Sequence, residues 1–148
     1  MIDTVVVATD GSDSVERAVT VALDLADRFD AEVHALYVVD EGEVESAPDE
    51  MRSELRTALT ERGEDATGTV ADAAERPVTT AFREGRPASK IADYARETEA
   101  NVVAVGTRGR HGEHRFLVGS VAERVVRTCP VPVLTVRQMT EENAGEAA

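Results

Sequence analysis

The sequence holds a single cysteine, Cys129, so no disulfide can form within the chain, and a reducing compartment is the expected setting. Long apolar runs are missing as well. Stretches such as residues 5–8 (VVVA) and 35–39 (ALYVV) fall far short of the ~18 residues that a membrane span needs, and no basic-then-apolar leader opens the chain. Membrane and secreted classes are therefore set aside in favour of the cytoplasm. Positive charge is scarce: 16 Lys plus Arg stand against 29 Asp plus Glu, a net of −13. Nucleic-acid phosphate would be repelled over most of such a surface, so no nucleic-acid partner is expected. Lysine is almost absent, with Lys90 alone beside fifteen arginines. Lysine depletion with multiplied carboxylates points to a salt-rich cytoplasm, where ions shorten the screening length to about 3 Å at 1 M. Chance depletion in an ordinary acidic protein is the alternative.

What is present suffices for one domain. A chain of 148 residues, 42% apolar and 30% charged, is neither disordered throughout nor too small for a core. Residues 3–9 (DTVVVAT) form an unbroken apolar run closed by Asp10, Gly11 and Ser12, the pattern of a strand buried in a parallel sheet. Val15, Ala18, Val19, Ala22, Leu25, Ala26 and Phe29 then recur at helical spacing, with Ser12 or Asp13 available as N-cap. Residues 32–39 read as a second strand, and the carboxylate-rich stretch 40–50 reads as a loop too polar to pack. From 49 to 75 helical spacing returns, weakened in its middle by Gly63 and Gly68 at about 1 kcal/mol each, which predicts one long helix open to interruption. A third strand at 77–82 follows, then a helix that starts at Pro87 and runs to about 99. A fourth strand at 101–105, a helix from Ser120 and a fifth strand at 131–136 complete the pattern. Five alternations imply a doubly wound parallel sheet with helices on both faces, whose ligands bind beyond the carboxyl ends of the strands where the winding reverses. Residues 1–137 form the expected domain, and 138–148 an acidic, disordered tail.

Two common nucleotide motifs are absent, since neither G-x-G-x-x-G nor G-x-x-x-x-G-K-[ST] occurs. After the fourth strand, however, Gly106-x2-Gly109-x9-Gly119-Ser120 leads into a helix. Glycines admit an anion close to the backbone, and a helix start offers it N–H groups and the positive end of the dipole. Arg108, Arg110 and Arg115 against Glu113 give this segment a local positive charge, with His111 and His114 nearby. A capping box from Ser120 to Glu123, with glycines serving only turns, is the bland alternative. The pair His111 and His114 lacks further ligands for a metal, Cys129 reads as a small packed side chain and His34 as a strand residue packed in the sheet.

The order of elements, the Gly106, Gly109, Gly119, Ser120 spacing and the ending GSVAERVVRTCPVPVLTVR resemble the universal stress protein family over residues 1–137. The resemblance implies a Rossmann-like fold of the adenine nucleotide alpha-hydrolase type, with strand order 3-2-1-4-5, and ATP binding in members that carry the glycine spacing. Carried over, it implies that Ala8 and Thr9 border the nucleoside, Asp10 approaches adenine or ribose, and Val38 packs on adenine. Gly106, Arg108 and Gly109 would line ribose and phosphates, and Gly119, Ser120 and Val121 would hold the phosphates. Thr9 stands where some members have proline. The implied protein is an ATP-loaded stress or signalling module with slow or no turnover and no assigned catalytic residue, dimeric through the fifth strand. The alternatives are an ATPase or nucleotidyl-transfer enzyme using Asp10 with Mg²⁺ or Mn²⁺, and a dimeric adaptor without nucleotide.

Overall fold

The computed structural model describes residues 1–107 and 119–138. Five parallel strands, β1 (Thr4–Ala8), β2 (Glu32–Asp40), β3 (Val78–Gly85), β4 (Val102–Gly106) and β5 (Val133–Val136), lie in the order β3-β2-β1-β4-β5. This is the expected order. Strands β1 and β4 are interior and each presents four buried residues in a row, which explains why they read as unbroken apolar runs rather than as alternation. Alternate side chains serve the two faces. Val5 and Val7 pack with α1 (Glu16–Phe29) and with Val70 of α3 (Arg52–Ala73), whereas Val6, Val103 and Val105 pack with α4 (Pro87–Glu97) and α5 (Ser120–Thr128).

Three local expectations need correction. The stretch 40–50 is not all loop: Asp40 accepts from the Gly42 N–H at 2.9 Å and caps a short helix, α2 (Glu41–Glu45). Its single valine, Val44, is 2% exposed against Tyr37, Val39 and Leu59, so one apolar residue anchors an otherwise acidic segment. The expected long helix does form, uninterrupted over 22 residues with Gly63 included. Strand β3 continues past residue 82 to Gly85, because its pairing with β2 runs in register to Asp40 opposite Gly85 and an edge position tolerates Arg83 and Glu84. Finally, neither Ser12 nor Asp13 caps α1 with its side chain. A 3-10 turn at Asp13–Val15 precedes that helix, and its N-cap position is Val15.

Candidate functional site at the reversal point

Parallel pairing sets Val5 opposite Val102, Val6 opposite Val103 and Val7 opposite Ala104, so the carboxyl ends of β1 and β4 lie side by side. Beyond them the chain departs in opposite senses, from β1 to α1 on one face and from β4 to α5 on the other. A crevice opens where such connections diverge.

The β1 wall is a self-locked turn. Thr9, 6% exposed, donates its N–H to Leu36 O at 2.9 Å and accepts from the Gly11 N–H at 3.1 Å through Oγ1. Asp10 Oδ1 accepts from both the Ser12 N–H at 2.9 Å and the Ser12 hydroxyl at 2.6 Å, while Oδ2 makes no hydrogen bond among the described residues. Gly11, at φ +78°, takes the left-handed conformation that favours glycine. Ala8 and Val38 both pack on the α4 and α5 side of the sheet.

The opposite wall belongs to Gly106, Thr107 and the start of α5. Gly106 ends β4 opposite Val136, and the Thr107 N–H donates to Val136 O at 3.1 Å. Gly119 is the N-cap of α5, and its own N–H is already taken by Thr107 O. The amides that a helix start leaves for an anion are therefore those of Ser120, Val121 and Ala122, the first two on exposed residues. The Ser120 to Glu123 capping box does not form, because Ser120 occupies the first helical position and the Glu123 carboxylate pairs with Arg127 at 2.6 Å. Arg108 and Gly109, with Arg110, His111, His114 and Arg115, lie outside the described residues. The structure thus brings together Ala8, Val38, Gly106 and the two ends of the glycine segment at one end of the sheet. The Asp10 side chain is turned to its own loop through Ser12.

Other residues weighed from the sequence have other surroundings. His34 Nδ1 lies 2.7 Å from the Tyr94 hydroxyl with the rings edge to face, so it packs β2 onto α4. Burial raises the Tyr94 phenol above its usual value, opposed by the Arg83 guanidinium over its ring and aided by Glu97. Any stability lent by the neutral phenol is present below about pH 10 and lost as pH rises through the raised value. Cys129 ends α5, half-buried against the same cluster. A separate groove of about 660 Å³ lies on the other face between α1 and α3 and shares Thr9, Gly11 and Ser12 with the β1 turn. Among the described residues no group of three metal-ligating side chains converges, and no helix is long and apolar enough to cross a membrane.

Residues 1–137 match the model of the universal stress protein family. The chain belongs to that family. A universal stress protein of Methanocaldococcus jannaschii is 39% identical over 142 residues, covering 93% of this chain and 84% of the relative. The universal stress protein UspA of Lactobacillus plantarum superposes with a TM-score of 0.79 at 32% identity, over 92% of this chain and 98% of that one. A universal stress protein solved in complex with cAMP superposes at 0.69 with 26% identity, over 93% and 98% of the two chains. The Thr107, Gly119 and Val136 backbone links, and the contacts of Gln138 described below, left no signal in the sequence because they join segments distant along the chain.

Proposed function

We propose that this universal stress protein is an ATP-binding stress or signalling module of a salt-rich cytoplasm, acting through its nucleotide-loaded state with slow or no hydrolysis. One observation supports the reading: the two ends of the Gly106-x2-Gly109-x9-Gly119-Ser120 segment meet beyond the carboxyl end of β4, the strand paired with β1, where Thr107 O accepts from the Gly119 N–H. The relative solved with cAMP supports an adenine nucleotide as the ligand class. Ala8, Thr9, Asp10 and Val38 would meet the nucleoside end. Gly106, Arg108 and Gly109 would line ribose and phosphates, and the Ser120 and Val121 amides beside Gly119 would hold the phosphates. Mg²⁺ or Mn²⁺ would enter with the nucleotide, carried by its phosphates. Calorimetric titration with ATP and Mg²⁺ in molar KCl, with mass spectrometry of co-purified nucleotide, tests the reading. Saturable heat is expected. No heat and no nucleotide would leave an adaptor, and product release at about 1 per second or faster would make it an enzyme.

Assembly and salt give two further expectations. Strand β5 is the outermost strand, paired to β4, and its Val133 and Leu134 are only half-buried. An apolar edge is stabilised by pairing across a two-fold axis, so we expect a homodimer through β5. Sedimentation at micromolar concentration should show a dimer for the parent and a monomer for Val133→Lys. An unchanged dimer in the variant would place the interface elsewhere. For salt, the screening length falls from about 10 Å at 0.1 M to about 3 Å at 1 M, which quiets repulsion among 29 carboxylates facing 16 cations. Salt also weakens exposed pairs such as Asp24 with Arg28, but water already screens these and they add little. The thermal midpoint should therefore rise from low to molar KCl, and a flat or falling midpoint would remove the salt-rich reading.

A further inference from the structure

The residues after β5 cross the carboxyl end of the sheet to reach α1. The Arg17 backbone N–H donates to Gln138 Oε1 at 3.0 Å, across 121 positions of sequence, and Arg17 Nη1 donates to the Arg137 carbonyl at 3.0 Å. Arg17 is the second residue of α1, where an N–H has no acceptor within the helix. Gln138 thus supplies from a distant segment the cap that Ser12 and Asp13 do not supply locally. Just before it, Val136 O accepts from Thr107 N–H, and Thr107 O accepts from Gly119 N–H.

Residues 136–138 therefore tie the two walls of the crevice to each other. On one side is the first turn of α1, which continues the turn of Asp10, Gly11 and Ser12. On the other are Thr107 and the N-cap of α5. The body of α1 needs no such tie, because Ala18, Val19, Ala22, Leu23 and Ala26 already bury its inner face. The loss of an exposed cap would be felt locally, as fraying of the first turn. A ligand spanning both walls would then have to order them on binding, which lowers its affinity.

We infer that Gln138 is a positioning residue for the nucleotide site, holding the β1 wall in register with Thr107 and the N-cap of α5. This rests on the nucleotide reading above. The test compares the parent with Gln138→Leu, which loses the acceptor, and Gln138→Glu, which keeps it and adds negative charge at a helix N-terminus. Amide exchange at Arg17 is read by NMR without nucleotide, and ATP affinity by calorimetry in molar KCl. In the Leu variant we expect faster exchange at Arg17 and affinity weaker by roughly three- to tenfold, the range of one or two lost hydrogen bonds, with Glu restoring both. Unchanged exchange at Arg17 would overturn the cap. Faster exchange with unchanged affinity, or equal losses in both variants, would overturn the positioning role. If the parent binds no nucleotide while Arg17 exchange still follows residue 138, the nucleotide reading fails, the positioning role falls with it, and the cap stands.

Discussion

Gly63→Ala should destabilise the protein by up to about 2 kcal/mol even though alanine is the better helix former, whereas Gly68→Ala, five residues along the same helix, should stabilise it by up to about 1 kcal/mol. The two glycines look alike in sequence and differ in what faces them. A Cβ on Gly63 would lie 2.5 Å from Tyr37 Cδ1, 2.8 Å from Cγ and 2.9 Å from Cε1, whereas one on Gly68 would meet nothing within 4 Å. The obstacle at Gly63 is an aromatic ring, not the loose end of a flexible chain. Tyr37 is 2% exposed and sits among Val39, Val44, Leu59 and Ala66, so any shift of its ring displaces packed neighbours. Overpacking of this kind costs about 1–3 kcal/mol, which outweighs the propensity gain of about 1 kcal/mol. Gly63→Val adds two methyl groups to the collision and should cost about 3 kcal/mol. Denaturant midpoints read all three variants. Tyr37→Leu in the Gly63→Ala background should recover part of the loss, because the two sites touch and their effects are not additive. Equal effects at Gly63 and Gly68 would mean that the close approach of α3 to β2 contributes nothing.

This pair of glycines marks the boundary of what the sequence made legible. Apolar patterning identified all five strands and three of the four longer helices, and the Gly119-Ser120 start marked the fourth. The order of the strands came through the family resemblance, since alternation of β and α alone fits several windings. The short helix α2 escaped because its carboxylates outvoted Val44, although one buried valine and an Asp40 cap are enough to hold a single turn. Gly63 was legible as a weak point of a helix, and its purpose depends on Tyr37, a residue of another element. The same holds at the candidate site. The glycine spacing announced an anion site, but the engagement of the Gly119 N–H by Thr107 and the capping of α1 by Gln138 exist only after the sheet end is assembled. Contacts that join β4, β5 and α1 were not readable, because they link segments distant along the chain.

Gly119→Val should abolish ATP binding, with a loss of about a hundredfold or more, while the fold persists. Gly119 has φ −64° and ψ 157°, extended backbone open to any residue, so its conformation does not require glycine. The remaining reason for glycine is the room a missing side chain leaves at the start of α5, over the Ser120 and Val121 amides. A valine there would fill that room. It would also be a poor N-cap, at about 1 kcal/mol of stability, so a loss of binding by itself would not separate blocked space from a frayed helix. Gly119→Ser makes the separation. Serine is among the preferred N-cap residues and should hold or slightly raise the thermal midpoint, yet its Cβ and hydroxyl intrude on the same space and should weaken ATP. Ser120→Ala, which removes a hydroxyl and leaves the backbone amide in place, should cost only about 1 kcal/mol, roughly fivefold in affinity. The ordering expected by calorimetry is therefore Val weaker than Ser, and Ser weaker than Ala at position 120, with circular dichroism unchanged throughout. If Gly119→Val binds ATP as the parent does, the start of α5 holds no phosphate. If affinity instead follows the thermal midpoint across the series, glycine at 119 serves the helix and not the ligand.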